Sequence, residues 1–248
     1  SNVHVVLTDC KASGSISNTR SNGAAGLSSR NSFNYTNSEN CTIDLFGVTV
    51  SGTGRSVANY TGSTVNLYNS TVSGTKYAIY NTGTVNTAGT VKTTSDTVES
   101  GYYCVYNFGT LTADGGNIGV ANRVEDSRSG TITVNGTLIC TGDSDGLSNR
   151  GTATVAGTLT ATGKRNDGVY NYGGTLTVNG TLTATGNASG RQTDGLDNSN
   201  NGTVTINGTL TASGGQFSVY NYGTLNLSGT VNATKNVFLG TGRTITVV

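Results

Sequence analysis

Three aspartates, Asp145, Asp167 and Asp194, each stand just before a glycine that opens a repeated segment. Carboxylates brought together at such a spacing can chelate a hard cation such as Ca2+ through their oxygens. They can also divide acid and base roles on a polysaccharide. Arg150, Lys164 and Arg165 lie near them in sequence. The chain has a single histidine, His4, near its start, so no histidine-based triad is available to this site. Aspartate also caps turns by accepting hydrogen bonds from backbone N–H groups. Turn capping is the primary reading, Ca2+ is the one cofactor kept as an alternative use, and catalysis comes last.

A second group of candidates is aromatic. Tyr170 and Tyr172 flank Asn171, Tyr220 and Tyr222 flank Asn221, and Tyr106 and Phe108 flank Asn107; Tyr80 and Tyr60 continue the series. In a strand, alternate residues share a face, so an inward asparagine sends both neighbours outward. Exposed rings can stack on sugar faces or supply contact area to a protein partner. They can also pack against each other across strands.

Threonines form a third group. Thr158, Thr160 and Thr162 recur as Thr181, Thr183 and Thr185, and again as Thr209 and Thr211. Ranks such as Thr131/Thr133, Thr152/Thr154, Thr175/Thr177 and Thr203/Thr205 make a second face. These Thr-x-Thr arrays resemble the ice-binding faces of β-solenoid antifreeze proteins. Ile139, Asp114, Lys92 and Asn232 interrupt them, and threonine is in any case a good, soluble strand former.

Such side chains need a scaffold that repeats them. The marker asparagine recurs at Asn59, Asn81, Asn107, Asn122, Asn149, Asn171, Asn198 and Asn221, at intervals of about 22 to 27 residues with one of about 15. Each unit holds three short segments of alternating apolar and polar residues, the pattern of strands. Gly and Asn-Gly pairs such as Asn135-Gly136, Asn179-Gly180 and Asn207-Gly208 separate them and suit tight corners. Three strands per turn, stacked turn on turn, predict an all-β chain: a right-handed parallel β-helix, or β-solenoid. About nine to ten coils at ~4.8 Å give a rod on the order of 45 Å long.

In the copy beginning at Gly168, Val169, Asn171, Leu176, Val178, Leu182 and Ala184 are predicted to face inward. Tyr170, Thr175, Thr177, Thr181, Thr183 and Thr185 are predicted to face out. Stacked asparagines at the corner are predicted to bond to backbone and to each other. Residues 15–40 read as irregular insertions, and the short interval from Asn107 to Asn122 lacks room for one strand. Residues 1–248 read as one domain. Insertions are read as collecting at a variable corner after the second strand, at 94–101, 142–145, 163–167 and 186–194. Arg55, Lys76, Asp96, Glu99, Asp143, Lys164, Arg165 and Arg191 gather there, an edge that either binds or is merely solvated.

Composition agrees and narrows the function classes. The chain has 37 Gly and no Pro, Met or Trp, with 33% hydrophobic and 11% charged residues. A proline in an interior strand would remove a donor from the ladder, so its absence fits. The net charge of +1 gives no basic field for nucleic acid. No apolar run is long enough for a membrane helix. Of the four cysteines, Cys10 and Cys140 fall at inward positions, Cys104 at a strand start and Cys41 just before a strand. Without CxxC or Cys/His clustering they suggest neither zinc nor a disulfide scaffold.

Gly-Val-Tyr-Asn-Tyr-Gly-Gly-Thr-Leu-Thr-Val-Asn at 168–179, with partial matches at 78–86, 104–112 and 218–227, resembles right-handed parallel β-helix repeats of bacterial adhesin-like and polymorphic outer-membrane passenger proteins. The resemblance implies an extracellular, adhesion-associated or structural role. The expected protein is therefore a non-enzymatic adhesin or stalk, secreted or on a cell surface, that presents a repetitive Thr/Asn/Tyr surface to a glycan or protein. The alternative is a filament subunit. Val3-His4-Val5 and Thr244–Val248 read as uncapped strands that could template end-to-end pairing, or as the cut ends of a longer rod. An ice-binding protein and a carbohydrate-active enzyme follow in that order.

Overall fold

The computed structural model describes the chain apart from residues 1–2, 9–10, 14, 22–23, 29–40, 53–54, 75–76, 90, 96–104, 108, 115–119, 123, 126–127, 143, 190 and 248. The described residues form strands and turns, with no helix among them.

One coil shows the construction. Val169–Tyr172, Thr175–Val178 and Leu182–Thr185 run along three successive faces. Leu196–Ser199 then returns beside the first strand, parallel and in register, pairing Val169 with Leu196 and Asn171 with Asn198. The three faces are named sheet C, sheet A and sheet B in the order this coil visits them. Sheet A stacks eleven strands, from Val3–Thr8 to Ile245–Val247. That count is slightly above the nine to ten coils expected from the asparagine spacing. The parallel β-solenoid itself is as the repeat predicted.

Alternation builds the core. Val169, Leu176, Val178, Leu182 and Ala184 are buried, while Thr175 is exposed and Thr177, Thr183 and Tyr170 are half-buried. The inward columns recur from coil to coil between Leu45 and Leu227, so an apolar interior runs along that part of the stack. Strand and corner N–H groups donate to neighbouring coils: to the preceding one, as Thr175 does to the Gly151 carbonyl at 2.9 Å and Thr203 to Gly174 at 2.8 Å, and to the following one, as Leu159 does to Thr181 at 2.8 Å. A proline at any such position would break the ladder.

The short interval in the asparagine series has a structural counterpart. Val105–Asn107 leads through Thr110–Asp114 and residues 115–119 to Val120–Asn122, which pairs directly with Val105–Asn107. This coil has no sheet B strand among the described residues. Sheet B is accordingly split into a four-stranded block, Lys11–Ser13 to Lys92–Ser95, and a five-stranded block, Leu138–Gly142 to Val231–Ala233. A small antiparallel hairpin, Val124–Glu125 with Arg128–Ser129, leaves the stack at the same level. Within the 15–40 region, Ser15–Ser21 joins sheet C and Ala24–Ser28 pairs antiparallel to it.

Candidate functional site: the outer face of sheet C

The strands of sheet C are only three to five residues long across most of the stack, and asparagine fixes them. Asn59, Asn81, Asn107, Asn149, Asn171, Asn198 and Asn221 are fully buried. Asn149 Nδ2 donates to Asn171 Oδ1 at 2.8 Å, Asn171 to Asn198 at 2.8 Å and Asn198 to Asn221 at 2.7 Å. Asn59 to Asn81 and Asn81 to Asn107 repeat the link lower down, at 2.8 and 2.7 Å. Each amide also reaches corner carbonyls, as Asn171 does to Gly174 at 2.9 Å. The ladder predicted from the sequence is present at these seven positions, and the residues flanking Asn171 and Asn221 lie outside it, half-buried or exposed.

Two columns result. The residues before the asparagines run Tyr80, Tyr106, Ala121, Ser148, Tyr170, Asp197 and Tyr220, and Phe238, before Leu239, extends the column; each is paired in register with the next. Those after them include Tyr60, Thr82, Arg150, Tyr172, Ser199 and Tyr222. Tyr60 and Tyr80 thus belong to different columns, although their rings still meet with centroids 6.3 Å apart. Phe108 lies outside the described residues.

The rings gather in three patches rather than one stripe. In the lower patch Tyr77, which the asparagine pattern does not mark, lies 5.0 Å from Tyr106 and 6.2 Å from Tyr80. Tyr80 and Tyr106 stack at 5.8 Å. In the upper patch Tyr220 and Phe238 stack at 4.9 Å, with Phe217 and Tyr222 against them. Between these, Tyr170 and Tyr172 meet at 5.7 Å, and the Arg150 guanidinium sits 4.8 Å over the Tyr172 ring. Phe217 and Phe238 were not legible as members, because neither stands beside a marker asparagine. Tyr172 and Tyr222 keep 36% and 39% of their surface exposed, the most of the described residues in these columns that carry rings.

Asp197 separates the middle and upper patches and has Tyr170 and Tyr220 as register neighbours. The Ser199 hydroxyl donates to its Oδ1. Burial pushes the Asp197 carboxyl up to about 6, with Asp194 and Asp145 adding to the shift and the Ser199 bond opposing it. Burial likewise pushes Tyr170 up to about 12; the charge of Asp197 adds and that of Arg150 opposes. Arg150 Nε is buried with no hydrogen-bond partner among the described residues. The face therefore combines flat rings, a carboxylate with capacity to accept more hydrogen bonds, and a guanidinium that can donate. That chemistry suits hydroxyl-rich or peptide ligands.

The threonines divide differently from the sequence ranks. On sheet B, Thr160 and Thr162 pair with Thr183 and Thr185, and Thr183 with Thr211. Exposed Ile139 and Asn232 bound this block. Thr158, Thr181 and Thr209 sit at the corner before it, and their carbonyls accept from Leu138, Leu159 and Leu182. The unbroken column is on sheet A: Thr42, Thr64, Thr84, Thr110, Thr131, Thr152, Thr175, Thr203 and Thr224 succeed one another in register.

Asp145, Asp167 and Asp194 stack as predicted, at the corner between sheets B and C. Their glycines are obligatory: a Cβ on Gly168 would lie 2.3 Å from the Thr185 N and 2.7 Å from the Gly195 carbonyl oxygen. The carboxylates reach across coils. Each accepts from the next coil: Asp167 N–H donates to Asp145 Oδ1 at 3.3 Å, Asp194 N–H to Asp167 Oδ1 at 2.6 Å and Phe217 N–H to Asp194 Oδ1 at 3.0 Å. No group of three or more His, Cys, Asp or Glu able to hold a metal ion occurs among the described residues. Cys140 is buried in register with Ala161, as expected of a small apolar residue. Cys10 and Cys104 lie outside the described residues.

No helix among the described residues is long and apolar enough to cross a membrane. Comparison with family models, curated proteins and solved structures finds no match to this chain.

Proposed function

We propose that the chain is a non-enzymatic binding module, an adhesin or stalk displayed outside a cell, and that the outer face of sheet C contacts its ligand. The observation that carries this reading is Asp197 set between Tyr170 and Tyr220, with Tyr172 and Tyr222 exposed beside it. Exposed rings in repeated positions cost solubility unless something covers them. Rings alternating with a hydrogen-bonding carboxylate suit a glycan, whose faces are apolar and whose edges are hydroxylated. A protein surface rich in polar side chains is the other ligand of the same chemistry. The test is a glycan array followed by titration calorimetry on any hit. Loss of binding in Tyr170→Ala/Tyr220→Ala supports the face, and binding unchanged in that variant contradicts it.

A second reading is a filament subunit that stacks end to end. It is favoured by the last coil, where Val231, Val237 and Leu239 keep 42%, 41% and 40% of their surface exposed on edge strands of sheets B and C. Such edges template further parallel pairing. Micrographs and light scattering showing monomers alone at high concentration would remove it.

A further inference from the structure

The column of Asp145, Asp167 and Asp194 joins the coils at one corner through hydrogen bonds that the glycan-binding reading does not use. The three residues retain only 8%, 8% and 6% of their surface. They occupy equivalent corners of consecutive coils, so neighbouring carboxyls lie about one strand spacing, ~4.8 Å, apart. Like charges that close, away from water, cannot all be carried at once. The ionisable groups facing Asp167 are Asp145, Asp194 and Asp197, and all three oppose its ionisation. Lys164, Arg165 and Arg191 of the same insertions are solvent exposed, and the charges that raise Asp167 are those three carboxylates.

We propose that Asp167 and Asp194 form a proton-gated clasp in this column: protonated, they tie the corners of successive coils together, and on ionisation they let that edge of the solenoid open. A protonated carboxyl keeps an oxygen free to accept, so the bonds from the Asp194 and Phe217 amides survive while Asp167 and Asp194 are neutral. Loss of protons places adjacent negative charges in a buried row. The hydrogen bond from the Asp194 amide favours the charged form of Asp167, but burial outweighs it, and the Asp167 carboxyl is pushed up to about 8. Burial raises Asp194 as well. The change therefore falls between mildly acidic and mildly alkaline conditions. It is confined to this corner, because the opposite corner is held by asparagines, which do not titrate.

Amide hydrogen exchange tests this directly. Protection factors, corrected for the intrinsic pH dependence of exchange, are compared at pH 6 and pH 9. The donors of the clasp are the amides of Asp194 and Phe217, which donate to Asp167 and Asp194. The reference amides are Thr175, Thr203 and Thr224, which donate to Gly151, Gly174 and Gly202. The clasp amides are expected to lose about tenfold or more in protection relative to the references as the pH rises. Asp167→Asn keeps the acceptor oxygen and removes the ionisable group, so the loss shrinks in that variant. A ratio independent of pH in the parent protein overturns the proposal whether or not the variant folds. An equal loss in Asp167→Asn also overturns it, and Asp194→Asn, read at Phe217, provides the same comparison one coil further on.

Discussion

Asp167 Oδ1 accepts the backbone N–H of Asp194 at 2.6 Å, although the two aspartates are a full coil apart. The same residue type at the same corner thus serves as cross-coil tie and as stored charge. The global consequence follows from linkage. Folded Asp167 titrates at about 8 against an ordinary 3.8, so the folded state holds a proton that the unfolded chain gives up. The stabilising difference is complete below the unfolded value and is lost as the pH climbs through the folded one. Thermal unfolding is expected at a Tm lower at pH 8.5 than at pH 5 by several degrees, on the order of 5 °C. The gap narrows in Asp167→Asn. Equal Tm values at the two pH values would remove the charge argument.

The asparagine ladder makes a different prediction, one without pH dependence. Asn171→Ala leaves the Asn149 amide without its Oδ1 acceptor and Asn198 Oδ1 without its donor, both buried. Orphaned buried polar groups cost about 1–3 kcal/mol each. Urea unfolding should show a loss of about 2–4 kcal/mol, unchanged between pH 5 and pH 8.5.

Gly168→Ala examines the corner sterically. The added Cβ would meet backbone on two sides at 2.3 and 2.7 Å, and backbone cannot step aside as a flexible side chain can. The variant should lose about 3 kcal/mol or more, or fail to fold. By contrast Thr175→Ser, at an exposed position of sheet A, should stay within about 0.5 kcal/mol of the parent. Unfolding midpoints of the two variants decide this.

Binding at sheet C should carry its own pH signature. The Asp197 carboxyl is pushed up to about 6, so it is charged above that pH and neutral below. A ligand that donates hydroxyls to the carboxylate should bind several-fold more tightly at pH 7.5 than at pH 5. Asp197→Asn should flatten that dependence, as calorimetry at the two pH values would register.

Much of the architecture was legible because a solenoid repeats its instructions. Val169, Asn171, Leu176 and Val178 announce their inward positions by alternation, and the coils from Leu147 to Leu227 repeat the pattern most plainly. The short interval before Asn122 announced a missing strand, which proved to be the break in sheet B. The site was less legible because its members come from across the coil stack. Phe217 and Phe238 join the Tyr220 patch through register and corner geometry that no local pattern encodes. Sequence spacing also placed Asp145, Asp167 and Asp194 in one column, yet their partners are amides of the next coil, which alternation alone does not reveal. The threonine ranks were visible, but only the pairing register shows that the unbroken column lies on sheet A.

The central claim is that the Tyr170, Asp197 and Tyr220 face binds the ligand. Its most direct measurement is the affinity of the folded Tyr170→Ala/Tyr220→Ala variant for a glycan or protein that the parent binds, beside Thr160→Ala/Thr183→Ala on sheet B as a control. The account predicts a loss of about tenfold or more in the tyrosine variant, the scale of removing two stacked rings, and no change in the threonine variant. Affinity retained by the tyrosine variant, or lost in the threonine variant alone, would contradict it.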